Sequence, residues 1–126
     1  MGKTILVIDD DAMNLRMAEF ILTKEGYKVL KADSGKSGIE TLKQEDVNLT
    51  LLDIEMPEMN GIETLELIRK DETICESKVM VLTASIDDAI KERMDGLGVV
   101  GYIGKPFMPA DLQAQIAEVF GTSCSE

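Results

Sequence analysis

The chain has 126 residues, 44% hydrophobic and 29% charged, the size and make-up of one ordinary globular domain rather than two. A net charge of -11, from 24 acidic against 13 basic side chains, repels nucleic acid and anionic membranes, and no apolar run approaches the roughly 18 residues of a membrane span. There is no histidine, which removes Ser-His-Asp, Cys-His and ordinary zinc chemistry, and Cys75 and Cys124 lack metal-ligand spacing and read as free thiols of a reducing compartment.

In chain order, Met1 leads through Lys3 almost directly into "TILVI" (4–8), a β-branched apolar strand, so no signal peptide and a cytoplasmic location are expected. "AMNLRMAEFILTKEG" (12–26) predicts a helix with Met13, Met17, Phe20, Ile21 and Lys24 on one face and Gly26 as its stop. "YKVLKA" follows as a strand, "GKSGIETLKQED" as a helix, "NLTLLD" as a strand and "GIETLELIRKDE" as a helix. "KVMVLTA" is the fourth strand, "DDAIKERMDGLG" a short helix, "VVGYIGK" the fifth strand and "PADLQAQIAEVFG" the last helix. Five such strand-helix units predict an α/β, flavodoxin-like, doubly wound (βα)5 fold whose five-stranded parallel sheet runs in the order 2-1-3-4-5. The domain should span 1–121, with "TSCSE" (122–126) as a frayed tail, and no repeat or linker interrupts it.

The stretch "LTLLDIEMPEMNG" (49–61) carries the first sign of chemistry, because its apolar run ends on an ionisable side chain, Asp53. In a doubly wound sheet the carboxyl ends of the strands open onto one edge. Asp9, Asp10 and Asp11 after the first strand, Asp53 after the third, Thr83 after the fourth and Lys105 after the fifth should therefore converge. Asp11 can equally begin the first helix as its cap. Carboxylates about 5 Å apart repel by roughly 3 kcal/mol per pair at an effective dielectric of about 20, so such a cluster calls for a cation. With only oxygen ligands available the cation is a hard one, Mg2+ before others. A lysine, a hydroxyl, a carboxylate and a divalent ion together suit phosphoryl transfer.

These residues resemble a known family over essentially the whole chain. "ILVIDDD", "LLDIEMP", "VLTAS" and "GYIGKPF" are similar to the motifs of the response-regulator receiver domain, the CheY-like phosphoacceptor of two-component and phosphorelay signalling. The resemblance implies that Asp53 is the phosphoacceptor, and that Asp9, Asp10, Asp53 and the backbone carbonyl of Glu55 bind Mg2+, for which Mn2+ can substitute. It implies that Thr83 and Lys105 bind phosphoryl oxygens, that Thr83 and Tyr102 form the switch, and that Glu55 and Ser85 tune hydrolysis. The implied partners are a histidine kinase or histidine phosphotransfer protein, docking near "DAMNLRMAEF", and an output protein or an output domain of a parent chain. Neither direct nucleic-acid binding nor membrane insertion is expected. Gly104 is expected to add backbone freedom beside Lys105, and "NLR" (14–16) is similar to receivers joined to hybrid histidine kinases.

Three other readings stay open at this level. A haloacid dehalogenase-type phosphohydrolase also forms an aspartyl phosphate, but its motif belongs on the first strand, and "DIEMP" has Glu and Pro where that motif wants Asp and Thr or Val. A flavin carrier shares the fold but would meet three acids where it needs a phosphate loop. A phosphorylation-independent pseudo-receiver would have no reason to retain the site residues.

Overall fold

Leucine- and β-branched-rich runs form strands that neighbours can cover on both faces, and all five do so in the computed structural model. The structure describes residues 3–54, 61–83, 88–104 and 108–120. Glu55, Ser85, Lys105 and the expected tail at 122–126 lie outside the described residues. The elements alternate without exception: β1 (Thr4–Ile8), α1 (Ala12–Lys24), β2 (Lys28–Ala32), α2 (Gly35–Gln44), β3 (Leu49–Asp53), α3 (Gly61–Lys70), β4 (Val79–Thr83), α4 (Asp88–Gly96), β5 (Gly101–Gly104) and α5 (Pro109–Phe120). All strand pairs are parallel, in the order β2-β1-β3-β4-β5, as the sequence pattern predicts. At ends that lie within the described residues, several elements are one or two residues shorter than expected: α1 stops at Lys24, β2 starts at Lys28, α2 stops at Gln44, β3 starts at Leu49 and α3 stops at Lys70.

The sheet divides the interior into two layers of core. Ile5, Val7, Leu49, Leu51, Met80 and Leu82 meet Leu15, Ile21 and Leu22 of α1 and Leu112 and Ile116 of α5 on one side. Leu6, Ile8, Leu52 and Val79 meet Leu42 of α2 and Leu65 and Ile68 of α3 on the other. A third, smaller group of Ile54, Val81 and Met94, with Tyr102 and Ile90 packed on it, holds α4. The central strands β3 and β4 are buried along their whole length, whereas β2, at an edge, exposes Lys28 and Lys31. Lysines on an edge strand discourage pairing with another sheet.

Helix α1 corrects one expectation. Of the expected face only Ile21 is buried, while Met13, Met17 and Phe20 are 66%, 44% and 63% exposed. The buried stripe is Leu15, Ala18, Ile21 and Leu22, so the larger Met and Phe side chains drew attention away from the smaller residues that pack. Lys24 lies over the Phe20 ring, 4.9 Å from its centre, and continues the exposed stripe. The helix ends at Gly26 as expected: a positive φ of 93° lets the Gly26 and Tyr27 amides turn back onto the Thr23 and Leu22 carbonyls.

One buried polar group is unaccounted for by packing. The Thr50 hydroxyl is buried in β3 with no hydrogen-bond partner among the described residues. Replacing it with a methyl of nearly the same shape removes a desolvated donor, so Thr50→Val should raise stability by about 1 kcal/mol. Urea denaturation checks this, and a lower midpoint in the variant would mean that the hydroxyl is satisfied.

Candidate functional site

Parallel register aligns the carboxyl ends of β1, β3 and β4. Ile8 pairs with Leu52 and Asp53 with Leu82, and the ladder runs one step further through the Asp9 amide to the Ala32 carbonyl (3.0 Å) and the Ile54 amide to the Leu82 carbonyl (3.2 Å). Asp9, Asp53 and Thr83 are thereby held at one edge, and each is buried, with exposures of 0%, 1% and 1%. Side chains fixed by strand backbone and core packing have little freedom to drift from that geometry.

The run of three acids after β1 splits into three tasks. Asp9 points inward, and its Oδ1 accepts the Asp11 amide at 2.9 Å. Asp10 is exposed at the rim. Asp11 caps α1, accepting the Met13 amide at 2.9 Å, which is the ordinary role open to it from sequence. Asp9, Asp10 and Asp53 together bring a carboxylate oxygen each to within 4.8 Å of one another. At that spacing, with two of the three buried, mutual repulsion is of the order of 3 kcal/mol per pair at an effective dielectric of about 20. The donor set is all oxygen, so the cluster fits a hard divalent cation.

Thr83 and Tyr102 project to the same face of the sheet. Val81 pairs with Tyr102 and Thr83 with Gly104, one residue pair apart along that face. The Tyr102 hydroxyl donates to the Asp95 carboxylate on α4, with the Lys91 carbonyl 3.2 Å away as a second acceptor. Burial, and then the bond to Asp95, push the phenol up to about 12. Gly104 does not have a left-handed backbone, and an added Cβ there would meet nothing within 4 Å among the described residues.

Three contributors escaped the sequence reading. Gly61, which opens α3, packs so tightly on the end of β3 that a Cβ there would lie 2.6 Å from the Asp53 carbonyl oxygen and 2.4 Å from the Ile54 Cα. Its amide donates to the Ile54 carbonyl at 3.2 Å, closing the loop back on the strand. Its place after "MN" marks a turn but not this contact. Arg69, in the last turn of α3, donates Nε to the Leu97 carbonyl (2.6 Å), Nη1 to those of Cys75 (2.9 Å) and Ser77 (2.7 Å), and Nη2 to that of Gly98 (3.1 Å). From sequence it is only a cation suited to a helix C-terminus. Asp95, the partner of Tyr102, lies on a different element and nothing in its local sequence marks it.

With this geometry in hand, the comparisons with known proteins agree on a class. The family model of the response regulator receiver domain matches residues 5–117, and the chain belongs to that family. The chain is 35% identical over 111 residues to the chemotaxis protein CheY of Thermotoga maritima, covering 87% of this chain and 91% of that protein. It is 38% identical over 119 residues to a probable transcriptional regulator, ycf27, of Porphyridium aerugineum, covering 93% of this chain and 48% of that one. The chain thus spans about half the length of the transcriptional regulators it matches. Probable histidine kinases of rice also match, through a small part of their length. Among solved structures, the receiver domain of a sensor histidine kinase of Pseudomonas aeruginosa, with a magnesium ion coordinated in its active-site cleft, superposes with a TM-score of 0.85 at 26% identity, covering 96% of this chain and 99% of that one. The chain is therefore a signalling domain of two-component systems.

Two outcomes are expected from the site's geometry. In chelator, Asp10→Asn should raise the urea midpoint by the equivalent of about 1 kcal/mol by relieving repulsion, and added Mg2+ should raise the midpoint of the wild type but not of the variant. A less stable variant in chelator would contradict the crowded-carboxylate picture. Gly61→Ala should cost about 1–3 kcal/mol, because backbone rather than a flexible side chain must yield, and should weaken Mg2+ binding measured by calorimetry.

Proposed function

We propose that the chain accepts a phosphoryl group on Asp53 from a phosphohistidine of a partner protein. The observation that carries this is the convergence of Asp9, Asp10 and Asp53 at one sheet edge of a receiver-family chain. An Asp53 carboxylate oxygen attacks phosphorus, the P–N bond breaks, and the electron pair and a proton go to the leaving imidazole. Water later attacks the acyl phosphate and returns inorganic phosphate and the free carboxylate. Asp9, Asp10, Asp53 and the Glu55 carbonyl are the groups that would hold Mg2+, or Mn2+ in its place. A cation bound there supplies charge neutralisation for the acids and for the phosphoryl oxygens.

The other side chains take roles around that reaction. The Thr83 hydroxyl donates to one phosphoryl oxygen and the Lys105 ammonium to another. Glu55 and Ser85 tune the lifetime of the phosphoryl group. Phosphoryl contacts at Thr83 draw Tyr102 inward, and the surface of α4, β5 and α5 changes with it, which is how an output protein or output domain reads the state. Residues 1–121 act as the receiver domain and 122–126 as a tail.

The histidine kinase or histidine phosphotransfer protein docks beside the site, on the start of α1. The exposed Met13, Met17 and Phe20 support this, since they lie on the outward side of the helix that Asp11 caps, where the fold does not need apolar side chains. In this reading the chain works in the cytoplasm as a signalling phosphoacceptor rather than a turnover enzyme, without contacting nucleic acid or entering a membrane. No helix of the described residues is long and apolar enough to cross one.

Incubation with acetyl phosphate and Mg2+ followed by intact-mass measurement tests the assignment. Wild type should gain one phosphate, and Asp53→Asn none. An equal yield in the variant would move the acceptor elsewhere, and no gain in wild type would favour a pseudo-receiver.

A further inference from the structure

We propose that the Asp95 carboxylate is a latch that holds Tyr102 outward against α4 and thereby sets how often the ring turns toward Thr83. The inference rests on the reading of Tyr102 as the switch residue and names the residue that opposes the switch.

Helix α4 has little apolar hold. Met94 is its one buried residue, with Ile90 partly buried beside it, whereas α1 and α3 bury four residues each. An element packed this lightly is positioned by its polar contacts. Arg93 pairs with Glu66 of α3, and Arg69 of α3 holds the Leu97 and Gly98 carbonyls that follow α4. Both tie α4 to α3. The bond from the Tyr102 hydroxyl to Asp95 ties it instead to β5.

The position of Asp95 points to a purpose outside its own helix. A carboxylate in the last turn opposes the helix dipole, so α4 alone would favour a neutral or basic residue there. What Asp95 gains is the Tyr102 hydroxyl, in a bond strengthened by its charge. The phenol has one proton, so the Lys91 carbonyl is a lesser alternative and not an addition.

An inward turn of the ring has to break this bond. Gly104 pairs with Thr83 on the face that Tyr102 shares, and it leaves open space there among the described residues. Among the described residues, the contact that opposes an inward turn is the bond from the Tyr102 hydroxyl to Asp95 on α4. Because Asp95 is exposed, solvent weakens the bond, and its loss should move the outward-to-inward ratio about 3- to 10-fold toward inward.

The test uses the full chain without phosphodonor. The chain has two tyrosines, so a ring-labelled NMR spectrum shows two sets of signals, and Tyr102→Phe identifies the one that matters. In wild type the ring should show contacts to the Ile90 and Met94 methyls. In Asp95→Ala these should weaken, contacts to the Thr83 methyl should grow, and the thermal midpoint should stay level or rise. Asp95→Glu should restore much of the wild-type pattern. Ring contacts unchanged in Asp95→Ala would overturn the proposal.

A kinetic arm adds acetyl phosphate. Asp95→Ala should speed phosphorylation about 3- to 10-fold in the wild-type background and not in Tyr102→Phe; an equal effect in both backgrounds would also overturn the latch. Failure of Asp53 to be phosphorylated would instead sink the functional reading, while the ring contacts measured without donor would still decide the latch.

Discussion

Buried carboxylates at the ends of two adjacent parallel strands are the constraint around which this molecule is arranged. Asp9 and Asp53 are nearly inaccessible, and they are held together because β1 and β3 are anchored by apolar packing on both faces of the sheet. The core thus does mechanical work for the site: it resists the separation that repulsion favours. Asp10 at the rim completes the cluster without the same cost of burial, and Asp11 is taken up by the helix that must start there.

Much of this arrangement was legible in the sequence because it follows from local rules. Strand and helix periods, the stop at Gly26, and an acid directly after each of two apolar runs dictate order, topology and the meeting of Asp9, Asp10 and Asp53. Thr83 ends β4 and Tyr102 lies within β5, strands whose register is fixed by the same pattern. The exposed side of α1 was not legible, since periodicity finds a face without saying which face is inside. Two methionines and a phenylalanine outweigh leucine and alanine in any hydrophobic reading, yet the sheet receives the latter.

Contacts that depend on tertiary approach left no trace at all. Gly61 looks like a turn residue, and only the folded chain shows that its missing side chain admits the backbone of Asp53 and Ile54. Asp95 and Tyr102 are seven residues apart in different elements, and Arg69 reaches carbonyls up to 29 residues away. Such polar contacts between side chains and distant backbone obey no spacing rule, because they are set by where two elements happen to lie.

The Arg69 fork has a mechanical meaning for α4. One planar guanidinium joins the end of α3, the segment before β4 and the turn after α4, so these three backbone pieces form a single stiff node. Helix α4 is then built like a lever with its fulcrum at the carboxyl end and a lightly packed body. A small displacement near the fulcrum, where Tyr102 and Asp95 meet, would be magnified along the helix toward Asp88 at its far end.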